Sequence, residues 1–273
     1  MATTQLNNMW HTLLYQPIVN VLIFLYQIFG NFGVAIIVLT ILIRLLLVPL
    51  TLPSLRAAQK MRKLAPELEK LKKKYANDKK KLAQAQMELY KKEGANPAAG
   101  CLPQIIQLVI LIALYQAFIN VLKVDGEVIV KLNEVLYPTL KLPVETIINT
   151  RFLYLDLSQP DVFRLSGLPI PLPGLFLIAA ALSQVFSSKM MQPAVELAQK
   201  KAKKTPGKED DVATAMQSQM LYLFPLMTIL IGYSFPSGLV VYWFVFSIST
   251  ALQQYFVSGW GGLTPWLKKL KRK

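Results

Sequence analysis

The 273-residue chain holds a single cysteine, Cys101, and a single histidine, His11. One thiol excludes an internal disulfide framework and any multi-cysteine metal site, and one imidazole excludes a histidine cluster, so no metal or other cofactor is expected. Acid is scarce too: 15 Asp and Glu stand against 30 Lys and Arg, for a net charge of +15. Residues 1–43 contain no Lys or Arg at all. Without a basic N-terminal stretch, an acylatable cysteine or a small-residue cleavage site there, no cleaved signal peptide is expected. The chain also lacks a candidate nucleophile–base pair and a phosphate-binding glycine loop. That disfavours hydrolytic chemistry, and the reading is that the protein is not an enzyme.

What the chain does have is hydrocarbon in long blocks. It is 53% hydrophobic with a mean hydropathy of +0.40. Its cations lie between the apolar blocks, which reads as a polytopic membrane protein rather than a soluble basic one. A bilayer core of ~30 Å asks for about 20 apolar residues in a helix. Five segments meet or approach that length, at roughly 33–52, 102–122, 171–188, 216–234 and 236–257. The expected fold class is therefore all-α, with five transmembrane helices. A sixth run, 17–29, is too short on this criterion and ends at Gly30-Asn31-Phe32-Gly33. It reads as an amphipathic helix lying at the interface, and one long tilted helix through the glycines is the alternative.

Orientation follows from where the cations fall. Thirteen lie in residues 53–100, six in 189–215 and five in the tail 258–273. The long connection 123–170 has five, offset by six acids. The basic segments belong inside, which puts the N-terminus out and the C-terminus in. The expected organisation is an N-terminal segment 1–30, a five-span core 31–257 and a basic cytoplasmic tail 258–273.

The first basic connection has internal order. Met61, Leu64, Leu68, Leu71 and Tyr75 recur at alternating steps of three and four, the spacing of a helical seam. Asn77-Asp78 offers a turn, Leu82, Ala85 and Leu89 continue the pattern, and Gly94 then Pro97 supply stop signals. This predicts a cytoplasmic helical hairpin over 54–94. It is either a solvated linker or a docking arm for anionic partners such as lipid headgroups, ribosomal RNA or acidic proteins. The external connection 123–170 is broken by Pro138, Pro143, Pro160 and Pro169 and is expected to hold short helices on the membrane surface. The cytoplasmic loop 189–215 is polar and charged. Trp260 and Trp266 read as interfacial anchors, and Met190 and Met191 as packing.

Arg44 is the exception inside the first apolar block, IIVLTILIRLLLVPLTL (36–52). An Arg near the centre of a span costs about 2.5–3.5 kcal/mol on insertion scales. None of the five proposed spans contains an Asp or Glu to offset it. Amides and other polar side chains recur in the other spans: Gln104, Gln107, Gln116 and Asn120, then Ser183 and Gln184, then Trp243, Ser247, Ser249 and Gln253. Singly each is interhelical glue; together, around Arg44, they point to a cationic cavity within the membrane.

Three ordered motifs resemble one family. NFGVAIIVLTILIRLLLVPLTL (31–52) resembles the first core span of the YidC membrane protein insertases, the group that includes the mitochondrial Oxa and chloroplast Alb proteins. MELYKKEGANPAAGCLPQIIQLVILIALYQAF (87–118) resembles the end of their cytoplasmic hairpin and second core span. PLMTILIGYSFPSGLVVYWFVFSISTALQQYF (225–256) resembles their last two spans. The resemblance implies a five-helix core with a hydrophilic groove open to the cytoplasm and closed to the outside. In that groove Arg44 is the positive charge, with Gln184 and Trp243 at matching positions and Gln104 and Gln107 beside them. It implies nascent membrane proteins as substrates, the ribosome as a partner of the hairpin and of residues 268–273, the Sec translocon, membrane lipids, a monomeric working unit and a bacterial plasma-membrane location. Two departures from common forms are expected: no large domain before the first span and no lipoprotein cysteine. FSIST stands where many relatives carry an Asn-containing motif. The rival readings are a small transporter using Arg44 to bind an anionic solute and a scaffold that holds other membrane helices.

Overall fold

Between the N-terminal apolar run and the first long one, helix stops and restarts within two residues. Gly30 takes the left-handed conformation (φ 63°) and its N–H closes on the Tyr26 carbonyl at 2.8 Å. Asn31 then accepts from the N–H of Val34 at 3.1 Å, a side-chain N-cap for the next helix. The computed structural model describes residues 9–95, 102–122, 127–167, 169–191, 223, 225–264 and 267. Cys101, most of the loop 189–215, Trp266 and the tail 268–273 lie outside the described residues. So do 216–222 and 224 of the expected fourth span, whose residues 225–232 are helical. The chain forms two compact units: Met1–Leu46, Ile105–Ser183 and Leu226–Ser247 make one; Leu47–Gln104, Gln184–Pro225 and Ile248–Lys273 make the other.

In the first unit, a π-helical turn (His11–Tyr15) runs into α1 (Gln16–Phe29). The run expected to stop short at 17–29 is thus a 19-residue helix, long and apolar enough to cross a membrane. The π turn explains the extension. Pro17 cannot donate to a preceding carbonyl and would clash within a regular α turn, and the wider turn relieves both constraints. Buried Asn20 fixes the far side of α1. It donates to the carbonyls of Gln16 (2.8 Å) and Val135 (3.0 Å) and accepts the Tyr137 N–H at 2.6 Å. Two expected cavity residues are spent here as glue: Gln116 accepts from Trp10 at 2.9 Å, and Asn120 donates to the Tyr15 hydroxyl at 2.8 Å.

Helix α2 (Phe32–Lys74) starts in this unit, with Phe32, Ala35, Ile36 and Leu39 buried. Helix α4 (Leu102–Leu122) contributes Ala113, Leu114, Ala117 and Phe118 to the same core. A Cβ on Gly232 would meet the Leu177 side chain, so the stretch before Pro236 approaches its neighbour as only glycine allows.

The connection 123–170 is less helical than expected. After α5 (Glu127–Val135) it forms two antiparallel two-residue ladders, β1 (Arg151–Phe152) with β2 (Leu155–Asp156), and β3 (Val162–Phe163) with β4 (Leu172–Pro173). The prolines at 160, 169, 171 and 173 prevent helix, and tertiary docking fixes the ladders instead. Leu157 is fully buried, and its carbonyl accepts the Gly238 N–H at 3.2 Å; the Gln159 carbonyl accepts the Ser237 N–H at 2.8 Å. This loop therefore caps the first turn of the last helix, α7 (Ser237–Ser258). It caps α6 (Leu175–Met191) as well, where buried Asp161 accepts the Leu177 N–H at 2.8 Å.

The second unit contains the basic arm. Its first helix is not separate: α2 runs 43 residues, through Pro49, Pro53 and Pro66. Near the first two prolines, Thr51 returns its hydroxyl to the carbonyls of Leu47 (2.9 Å) and Val48 (3.3 Å) and accepts from Gln253 at 2.9 Å. The turn falls at 75–78 as predicted, with Asp78 capping α3 (Lys79–Lys92) through the Lys81 N–H at 3.0 Å. Gly94 (φ 57°) ends it, with Ala95 N–H bonded to Tyr90 O at 2.9 Å and Gly94 N–H to Lys91 O at 3.2 Å. Leu64 and Leu82, one from each arm helix, are buried.

Candidate functional site

Arg44 is twelve residues into α2, ~18 Å along the axis at the α-helical rise, which puts it well inside a hydrocarbon layer of ~30 Å. Only 9% of its surface is accessible. Its guanidinium carbon sits 4.4 Å from the centroid of the Phe246 ring, a cation–π contact made on α7. One helical turn earlier on α7, Tyr242 is buried. The two rings lie 5.9 Å apart, as i, i+4 residues on one helix face should. From α4, Gln107 donates its amide to the Tyr242 hydroxyl at 2.7 Å. Three helices thus converge on one group: a cation, an aromatic face, a phenol and an amide.

Two buried hydroxyls of the same unit are turned inward on their own helices. Thr40, buried one turn before Arg44, donates to the Ile36 carbonyl at 2.6 Å, and Ser183 donates to the Ala180 carbonyl at 2.8 Å. These back-bonds satisfy the hydroxyls without a partner helix.

Of the residues singled out from sequence, Arg44 and Gln107 share this cluster. Trp243 is buried, next in sequence to Tyr242 on α7. Gln184 belongs to the other compact unit, where it is half-buried on α6 and its carbonyl accepts the Ser187 hydroxyl at 3.1 Å. Gln104 also belongs to that unit, and its side chain lies outside what is described. Sequence reasoning passed over Tyr242 and Phe246. Their spacing of four in the last apolar run was the available signal, but aromatic residues at helical spacing ordinarily read as core packing.

The cluster offers a fixed positive charge with neutral hydrogen-bonding groups, and the chemistry such a set performs is non-covalent binding of carbonyl, carboxylate or other electron-rich groups.

The sequence profile of the "60Kd inner membrane protein" family matches residues 24–261. The chain is 36% identical over 228 residues to a membrane protein insertase YidC of Fusobacterium nucleatum, covering 84% of this chain and 86% of that one. It is 32% identical to the same-named protein of Oleidesulfovibrio alaskensis, over 92% of this chain but 39% of that longer one. A crystal structure of an active YidC insertase with its first transmembrane domain resolved superposes with a TM-score of 0.54 at 25% identity. That match covers 89% of this chain and 45% of the solved one. The long apolar helices and these matches together make this a multi-pass membrane protein, and the chain belongs to the 60Kd inner membrane protein family, the YidC membrane protein insertases.

Proposed function

We propose that this insertase passes nascent membrane proteins from the cytosol into the bilayer along a hydrophilic groove whose fixed charge is Arg44. The observation that carries the reading is the position of that cation: buried at mid-span depth, against Phe246 and beside the Gln107–Tyr242 pair. A short polar or acidic segment of the substrate enters from the cytosolic side, where the cation lowers the cost of carrying it partway through hydrocarbon. The substrate's apolar segment moves into lipid, and each buried Leu or Ile contributes roughly −0.3 to −0.6 kcal/mol on the insertion scale, so no nucleotide is needed. Gln107 and Trp243 belong to this path, and the family resemblance assigns Gln104 and Gln184 to it as well. The arm 54–94 and the basic tail 268–273 meet the ribosome, and the Sec translocon is a further partner. The protein works as a monomer in the bacterial plasma membrane, with its N-terminus outside and its C-terminus in the cytoplasm.

The test is insertion of a short single-span substrate with an acidic external segment, in membranes depleted of other insertases. Arg44→Lys retains most insertion, because charge rather than the guanidinium fork is used, while Arg44→Ala at equal protein level loses it. Equal loss in both would replace the electrostatic reading with a specific bidentate contact. No loss in either would remove Arg44 from the path.

A further inference from the structure

The β1–β2 hairpin carries a residue that its own turn disfavours. Phe152 pairs with Leu155, so the loop is Leu153-Tyr154, and Leu153 sits at φ 54°, the single non-glycine residue with positive φ among those described. A two-residue hairpin loop with positive φ at its first position selects glycine there. Leu153 is also 77% exposed. An apolar, strained, water-facing side chain is unfavourable on both counts unless something other than water receives it.

The tip is mounted rigidly. The Phe152 ring lies where a Cβ of Gly33 would be, at the start of α2, and packs 6.2 Å from Phe176 of α6. Next to the tip, Tyr154 stacks on Phe163 at 6.1 Å. Phe163 is the cross-strand partner of Leu172, and directly opposed residues share a sheet face. All three are exposed, as is Leu165. Beyond Leu172 the chain enters α6, whose exposed residues Leu175, Ile178 and Leu182 make a stripe on an apolar helix of the membrane domain. Exposed apolar residues thus occur both at the hairpin and along the helix that follows it in sequence.

We propose that this tip is a membrane foot: Leu153, with Tyr154, Phe163, Leu165 and Leu172 beside it, inserts into the headgroup–acyl boundary of the bilayer. The occupant is lipid because the hairpin leads within a few residues into the exposed apolar stripe of α6 in a multi-pass membrane protein, and because aromatic residues at its root suit the interface. Arg164, next in sequence to Phe163, is exposed and could pair with a lipid phosphate once the foot is seated.

The experiment uses the full chain in vesicles with Cys101→Ser and Leu153→Cys, the new thiol carrying an environment-sensitive nitrobenzoxadiazole dye. The foot predicts blue-shifted emission, stronger quenching by lipid with a nitroxide near the headgroup than at the chain end, and weak quenching by aqueous iodide. Water-like emission with strong iodide quenching would overturn it. So would a blue shift without nitroxide quenching, which assigns the surface to a second copy of the chain. If Leu153→Cys fails to fold, the same label at Leu165→Cys reads the same outcomes. In that Leu165→Cys protein, Leu153→Gly should relieve the turn and yet reduce nitroxide quenching; unchanged quenching would leave Leu153 outside the foot.

Discussion

Asp161 provides the strongest single prediction about what holds the loop 151–173 on its helices. It is 3% exposed, yet it is a carboxylate in a loop. Tyr154 donates its hydroxyl across both oxygens, at 3.0 and 3.2 Å, and the Leu177 N–H donates to Oδ2 at 2.8 Å. The Phe176 N–H in turn donates to the Tyr154 oxygen at 2.9 Å, so two first-turn amides of α6 depend on this pair. Gly174 leaves the room required, since a Cβ there would overlap the carboxylate. Asp161→Ala strips a hydrogen bond to a charged acceptor from each of two donors, at about 1.5–3 kcal/mol apiece. It also removes a favourable helix N-terminal charge worth about 0.3–1 kcal/mol. After partial rehydration, a net loss of about 3 kcal/mol is expected. Asp161→Asn keeps an acceptor for Leu177 and loses the charge, for about 1 kcal/mol. Denaturant titration of the full chain in detergent measures the difference, and hydrogen exchange at the first turn of α6 locates it. An Asp161→Ala midpoint equal to the parent's, or Asp161→Asn as damaging as Asp161→Ala, would refute the capping account.

Phe246→Leu removes a ring face from Arg44 worth up to about 2 kcal/mol when desolvated, and insertion of acidic-tailed substrates should fall while Phe246→Tyr restores it. Gln107→Leu leaves the buried Tyr242 hydroxyl without its donor and should cost about 1–3 kcal/mol in the same denaturant titration. Asn20→Leu frees the Tyr137 N–H and detaches α1 from the end of α5, which faster exchange at residue 137 would report. The Asp78 carboxyl is held below its ordinary value first by the Lys81 N–H, so its cap on α3 is complete above the unfolded-state value of 3.8 and lost as pH falls through the lower folded one. Exchange protection at the start of α3 should therefore persist at neutral pH and fade only in strong acid.

Much of this architecture was legible because its signals are local. Gly30-Asn31 stops one helix and caps the next with side chains adjacent in sequence, and Asp78 with Gly94 does the same for the arm. The fusion of the first span with the arm was not legible: the span was read as ending at 52 and the arm as starting at 54, and nothing local says that α2 carries on through Pro49 and Pro53. The two-residue ladders were invisible for a related reason. They are fixed by docking on Gly33, Ser237 and Gly238, far away in the chain. At the site, Arg44 announced itself as a cation in hydrocarbon. Its amide neighbours could not be sorted by type: Gln107 joins the cluster through Tyr242, while Gln116 and Asn120 bind the N-terminal helix.

The most direct test of the central claim places a photo-crosslinking residue at position 243, and separately at 184, in the membrane-embedded protein. Ribosomes stalled on a short single-span substrate are added before illumination. An insertion groove gives crosslinks to the nascent chain at both positions, and they disappear once the chain is released. Crosslinks confined to lipid-facing positions such as Leu46 and Leu182, with none at 243 or 184, would contradict the groove and leave Arg44 with a structural role only.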